Sequence, residues 1–189
     1  KYLGVKDATA RARVVACVSG IRGARRHALA VKGTVADEVR GELMGIEGAA
    51  GRLYWQGIGQ LLGDRVEFEG RRHRGAHDPV NALLNYGYGI LYAKVWAALL
   101  NAGLEPFAGF LHVDRPGKPS MVLDLIEEFR APVVDRPVVA YVNQGRRVRF
   151  EGRFMDEETR RGIADAVLER LAAKVNHAER KVTLQSVVQ

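Results

Sequence analysis

Glu47, His112, Asp124 and Glu127 are the residues of this chain whose types and spacing suit phosphoryl chemistry. On a helical wheel Glu47 falls inside an apolar arc, between Leu43 and Tyr54, where a carboxylate is partly desolvated and costly to bury unpaired. The residues after it, Gly48, Ala49, Ala50 and Gly51, are small and let another backbone or a bulky ligand come close. Taken alone, Glu47 also fits an Ala/Gly packing seam in which the carboxylate snorkels or finds an arginine. His112 closes the apolar run Phe107, Phe110 and Leu111, just before a turn built from Asp114, Pro116 and Gly117. That is also an ordinary place for a hydrogen-bonded boundary histidine. Asp124 and Glu127 are three positions apart on one helix, so they share a face and can share a cation. Because Met121, Leu125 and Phe129 make the opposite, apolar face, the same pair fits a solvated surface equally well. Together these residues give two or three carboxylates and one imidazole on helices that could converge. With no thiolate in the set, it favours Mn²⁺ or Mg²⁺ over zinc. Such an ion polarises a phosphoryl oxygen and helps ionise an attacking hydroxyl, which implies phosphodiester cleavage or transfer.

Cationic residues stand where a phosphate substrate needs them. Arg71, Arg72 and Arg74 precede an apolar helix, Lys118 lies in the turn after His112, and Arg130 ends the acidic helix. Each also fits a solvated loop. A second cluster, Arg22, Arg25, Arg26 and His27, is not separable from a charged helix face. The chain has 189 residues, 29 Lys plus Arg against 22 Asp plus Glu, a net charge of +7 and 47% hydrophobic content. This is a chain with a real core and a balance that suits a polyanionic partner without establishing one. The single cysteine, Cys17, excludes an intrachain disulfide framework and a Cys-built zinc site, and fits a reducing, cytoplasmic compartment. The longest apolar stretch, Ile90 to Leu100, is interrupted by Lys94, well short of a membrane span. No G-x-S-x-G elbow, P-loop or dinucleotide fingerprint occurs, so serine hydrolysis, ATP and NAD are not suggested.

The elements that must position these residues are helices, and the fold class expected is mainly α. Residues 7–31 read as one or two short helices weakened by Gly20 and Gly23. From Ala36 to Leu62, Val39, Leu43, Ile46, Ala50, Leu53, Tyr54, Ile58 and Leu61 recur at three and four, the mark of an amphipathic helix. Residues 64–74 read as an exposed loop. Asp78 as N-cap with Pro79 starts a helix that Gly103 stops, and its apolar residues go round more than one face, as in a helix central to a bundle. A further helix is expected from Ser120 as cap to Arg130, stopped by Pro132, and another after Asp135 with Pro137 in its first turn. Residues 146–154 read as a hairpin or extended loop, and 156–175 as a helix with an acidic first turn. The division expected is a helical lead-in over 1–35 and a metal-dependent catalytic domain over 36–189. The first residue is not Met and no signal pattern follows it, so a piece of a longer chain is expected.

Four stretches in order resemble one family. They are Gly45-Ile46-Glu47-Gly48-Ala49-Ala50 with Tyr54-Trp55, Asp78 through Tyr88, Gly109-Phe110-Leu111-His112, and Ser120 through Arg130 followed by Pro132-Val133-Val134-Asp135-Arg136. The chain is similar over about residues 36 to 150 to the CRISPR-associated endonuclease/integrase of spacer acquisition, and more loosely in its flanks. The resemblance implies Glu47, His112 and Glu127 as ligands of Mg²⁺ or Mn²⁺, with Asp124 as the acidic partner beside them. It implies joining of captured DNA 3′-OH ends to a CRISPR repeat by transesterification. It further implies double-stranded DNA as substrate, a small ferredoxin-like companion Cas protein, and a homodimer of the full chain, alone or with another adaptation domain fused or bound to it. The basic residues Arg71, Arg72, Arg74, Lys118 and Arg130 would contact DNA, and Asn81 and Tyr88 would line the site. The family's N-terminal β-rich domain, through which it dimerises, is expected to be largely absent from this chain. The alternative is a non-catalytic DNA-binding or assembly module of the same complex, in which the carboxylates serve packing and caps.

Overall fold

Asp7 opens the first helix, its side chain accepting the Ala10 N–H at 2.6 Å, and α1 runs unbroken over Ala8–Ala30. The computed structural model describes residues 7–72, 78–113, 115–177, 180–183 and 185–186. One helix forms where two short ones were an option, and Gly20 within it faces Leu53 closely: a Cβ there would lie 2.6 Å from Leu53 Cδ1, so that side chain would have to shift. Leu53 belongs to α2, Ala36–Leu62, whose bounds match the periodicity. At its start Val35 makes no side-chain cap. Glu38 instead accepts the Thr34 N–H at 2.9 Å, and that bond holds the Glu38 carboxyl below its usual range. Val14 and Cys17 of α1 and Gly57, Ile58 and Leu62 of α2 are the buried positions of this pair.

Cα packing divides the chain into two compact units, Lys1–Arg72 and His73–Gln189. The expected boundary at 35/36 falls in the loop between α1 and α2, two helices packed on each other, so the lead-in is one unit with α2. After the short 3₁₀ turn Gly63–Arg65 the chain is irregular to Arg72, as expected of a loop, with Phe68 edge-on to Trp55 at 6.1 Å between centroids.

The second unit is built round α3, Pro79–Asn101. Asp78 caps it by accepting the Asn81 N–H at 2.9 Å, with Pro79 in the first turn. Val80, Leu83, Leu91 and Val95 are fully buried, each Leu or Val stabilising the fold by about 2 kcal/mol. The helix packs against α4 (Ser120–Arg130) and α6 (Glu157–Ala172). Gly103, at φ 70°, follows the end of α3 as expected. Ser120, expected as the cap of α4, is its first helical residue. Its buried hydroxyl donates instead to the carbonyls of Val113 and Lys118, at 3.2 and 3.3 Å, fastening the preceding turn.

Pro132 does not stop α4, contrary to expectation. The chain widens into a π-helical turn over Ala131–Asp135 and continues as α5, Arg136–Asn143. A proline ring clashes with the carbonyl four residues back and has no N–H to offer it. The wider turn relieves this, with the Arg136 N–H reaching the Ala131 carbonyl, while Arg170 donates to the Pro132 carbonyl at 2.9 Å. A hairpin follows, β1 (Phe150–Glu151) against β2 (Phe154–Met155), with Phe150 opposite Met155 and Glu151 opposite Phe154. Asp156 caps α6 by accepting the Thr159 N–H at 2.8 Å. The helix ends at Ala172, short of the expected 175, because Lys174–His177 (β3) pairs antiparallel with Arg180–Thr183 (β4). Sequence reading had no hairpin there, since four-residue polar strands carry too little alternation to register. The described residues are thus mainly α, and among them no helix is long and apolar enough to cross a membrane.

Candidate active site

The loop between α3 and α4 carries His112, and Asp124 on α4 determines its path. One Asp124 oxygen accepts the N–H groups of Phe110 and Leu111 at 2.6 and 3.0 Å. The other accepts the His112 N–H at 3.0 Å and faces His112 Nδ1 at 2.6 Å. Burial raises the Asp124 pKa, but the hydrogen bonds from His112 and from the Phe110, His112 and Leu111 amides prevail and hold it below the usual value. An ionised carboxylate at Nδ1 makes that nitrogen the donor, which leaves the lone pair of the neutral ring on Nε2. Both side chains are largely covered, so solvent screens the contact weakly.

Gly109 makes the approach possible. A Cβ there would lie 2.5 Å from Ser120 Cβ, 2.8 Å from the Ser120 carbonyl carbon and 3.0 Å from Asp124 Oδ2. Backbone cannot yield as a flexible side chain can, so Gly109→Ala is expected to push the loop off α4 and destabilise the chain by about 2 kcal/mol. The check is thermal unfolding, with an unchanged midpoint contradicting this account.

Glu127 lies one turn beyond Asp124 on the same face of α4 and pairs with Arg130. The Arg130 guanidinium lies over the Tyr88 ring, 4.4 Å from its centroid, and the Tyr88 hydroxyl donates to the buried carboxylate of Asp135. Burial and the Asp135 charge raise the Tyr88 pKa while Arg130 opposes them, so Tyr88 is a neutral donor. Arg130 is therefore held within a network that ends on Glu127, and it is mostly covered. Asp135, named in the sequence as a helix start and as part of the fourth resembling stretch but given no role, is the residue of this network that sequence reasoning missed as a site element. Its spacing from Arg130 carried no signal, because a π-turn separates them.

Asn81 and Tyr88, expected to line the site and meet DNA there, are both buried. Asn81 is 1% exposed, and its Nδ2 donates to Asp78 Oδ2 at 2.9 Å, so it serves the start of α3. Tyr88 is buried beneath Arg130. Lys118 is half-buried in the turn, its N–H bonded to the Arg115 carbonyl at 2.9 Å. In the first unit Arg72 is exposed and pairs with Glu69, and Arg71 donates to the Arg72 carbonyl. Arg74 lies outside the described residues. Glu47 is exposed on α2, not partly buried as the helical wheel implied. The glycines near it leave that stretch of α2 open, since a Cβ at Gly41, Gly45 or Gly51 would meet nothing within 4 Å.

Within each unit, among the described residues, no three His, Cys, Asp or Glu side chains gather as a metal cluster. The donor chemistry in the second unit nevertheless suits a hard or borderline ion. Asp124 is occupied on both oxygens by the loop it holds, while the Glu127 carboxylate is partly exposed and His112 Nε2 is left by Nδ1's bond to Asp124. An imidazole nitrogen with a carboxylate oxygen is compatible with Mn²⁺ or Mg²⁺.

A family model described as CRISPR associated protein Cas1 matches residues 8–176. A CRISPR-associated endonuclease Cas1 of Archaeoglobus fulgidus is 38% identical over 192 residues, covering 95% of this chain and 53% of the relative. Among solved structures, a Cas1 protein from Thermotoga maritima superposes with a TM-score of 0.76 at 24% identity, over 95% of this chain and 62% of that one. A casposase bound to its integration product gives 0.72 at 25% identity, over 94% and 61%. A chain of a Cas6-RT-Cas1–Cas2 complex gives 0.68 at 24% identity, over 97% and 23%. The chain spans about half the length of the curated relatives it matches.

Proposed function

We propose, on the premise that this chain belongs to the CRISPR-associated Cas1 family, that it is the catalytic region of a divalent-metal-dependent DNA integrase and endonuclease. The reaction is transesterification, in which a DNA 3′-OH attacks a phosphodiester in line and the 3′ oxygen of the cleaved strand leaves. The observation that carries this reading is Asp124 gathering Phe110, Leu111 and His112 so that the imidazole presents Nε2 away from its carboxylate partner. That pre-set orientation suits a ligand or a phosphate-facing group more than a histidine kept for packing.

By the motifs shared with the family, Glu47, His112 and Glu127 would hold Mg²⁺ or Mn²⁺. When bound, such an ion polarises the phosphoryl oxygen and lowers the pKa of the attacking hydroxyl. The chain's own residues do the positioning. Asp124 keeps Nδ1 as donor, Arg130 fixes the Glu127 carboxylate with Tyr88 beneath it, and Lys118 supplies positive charge in the turn beside His112. The wider setting is also proposed. Double-stranded DNA, as prespacer and CRISPR repeat, is the substrate, and Arg71, Arg72 and Arg74 contribute phosphate contacts. The full chain is a cytoplasmic homodimer assembled with a small companion protein, and the likeness to a chain of the Cas6-RT-Cas1–Cas2 complex supports the companion alone.

The test is joining of a labelled DNA 3′-OH end to a repeat-containing duplex by the full-length chain with its companion protein. Joining is expected with Mn²⁺ or Mg²⁺, to vanish with chelator and to return on re-addition. Salt-sensitive DNA binding without joining under any ion would replace this reading with the assembly module.

A further inference from the structure

The β1–β2 hairpin lies outside the site and has a composition that the fold does not need. Phe154 is 63% exposed and Phe150 is 38% exposed, so neither ring is buried in the core of the unit. In the pairing register Phe150 shares a face with buried Met155, whereas Phe154 shares the opposite face with Glu151. The outer face therefore presents Phe154, with the Arg153 guanidinium 5.0 Å from its ring centroid. Residues 146–154 contain four arginines and one acid. Arg149 is paired with Glu158 at 2.9 Å. Among the described residues Arg146, Arg147 and Arg153 make no ion pair, and Arg146 instead lies over Tyr141 at 5.1 Å.

Exposed aromatic faces interleaved with unpaired guanidinium groups match a strand whose bases are unstacked and whose backbone is anionic. A duplex offers its phosphates but keeps its base faces hidden, so it would use the arginines and leave Phe154 idle. An acidic peptide would likewise satisfy the charge and not the ring. Resting on the DNA-end-joining reading above, we propose that the β1–β2 hairpin is a stacking platform for single-stranded DNA, with Phe154 as the base contact and Arg147 and Arg153 as phosphate contacts.

The probe is a single-stranded oligothymidylate carrying one 2-aminopurine, titrated with the full-length chain at fixed salt, beside a blunt duplex. The wild type is expected to quench the 2-aminopurine. Phe154→Ala is expected to weaken single-strand binding about tenfold and to abolish the quench. Phe154→Trp is expected to retain both, and Leu168→Ala, an equally simple truncation of an exposed apolar side chain on α6, to change neither. Unfolding midpoints of the variants separate lost stacking from lost fold. Equal single-strand affinity of wild type and Phe154→Ala overturns the platform. So does a Phe154→Ala variant that loses the companion protein while still quenching, since the hairpin is then a protein contact. If the wild type joins no DNA ends yet shows Phe154-dependent quenching, the integrase reading falls and the platform stands.

Discussion

Replacing His112 or Glu47 by alanine is expected to lower metal-dependent strand joining on the order of a thousandfold, while duplex affinity stays near that of the wild type. The two arms follow from different physics. Affinity for DNA comes mainly from phosphate contacts made by several cations and falls with salt, so deleting one imidazole or one carboxylate changes it little. The chemical step depends on groups placed at the scissile phosphate, and such losses appear in rate. In His112→Ala the loop remains tied to Asp124 through the Phe110, Leu111 and His112 amides, so the fold is retained and the loss is chemical. Single-turnover joining at saturating DNA, with filter binding on the same preparations, measures both. Joining retained by either variant contradicts the site as assigned.

Asp124→Asn is expected to lose both stability and rate, which distinguishes it from His112→Ala. The carboxylate accepts three amide N–H groups and faces Nδ1. An amide has one accepting oxygen and turns two N–H donors toward the other partners, so at least one donor pair becomes repulsive. Leaving partly buried donors unsatisfied costs about 3 kcal/mol, readable as a shift in the denaturation midpoint. Freed from its partner, His112 can also take the other tautomer, and joining is expected to fall by about a hundredfold. A variant as stable as wild type would mean that the loop is held by other contacts.

Much of this architecture is legible in the residues. The period of α2 and the Asp78-Pro79 start of α3 follow from local rules, and both appear with the expected bounds. The hairpin at 150–155 was one of two options, and its short loop and Gly152 at φ 61° decided it. Pro132 shows where local rules stop. As an isolated signal it ends a helix, yet packing of Val133 and Val134 in the core favours continuation through a wider turn. The Lys174–Thr183 hairpin was invisible for a related reason, because strands this short are decided by pairing and not by their own pattern.

The site divides in the same way. Which residues could do chemistry was a matter of type and spacing: the imidazole at 112 and the acids at 47, 124 and 127 are candidates as a set, though each is ordinary taken singly. Their separate tasks came only from the tertiary structure. Asp124 and Glu127 share a helical face and look equivalent in sequence, yet one is filled by the amides of a distant loop and the other is gripped by an arginine resting on Tyr88. Helix period and caps are short-range properties, set by φ/ψ preference and by hydrogen bonds a few residues long, so they can be read along the chain. The state of a carboxylate is set by whatever donors and charges lie within a few ångströms, and those arrive from remote positions that only the packed fold brings together.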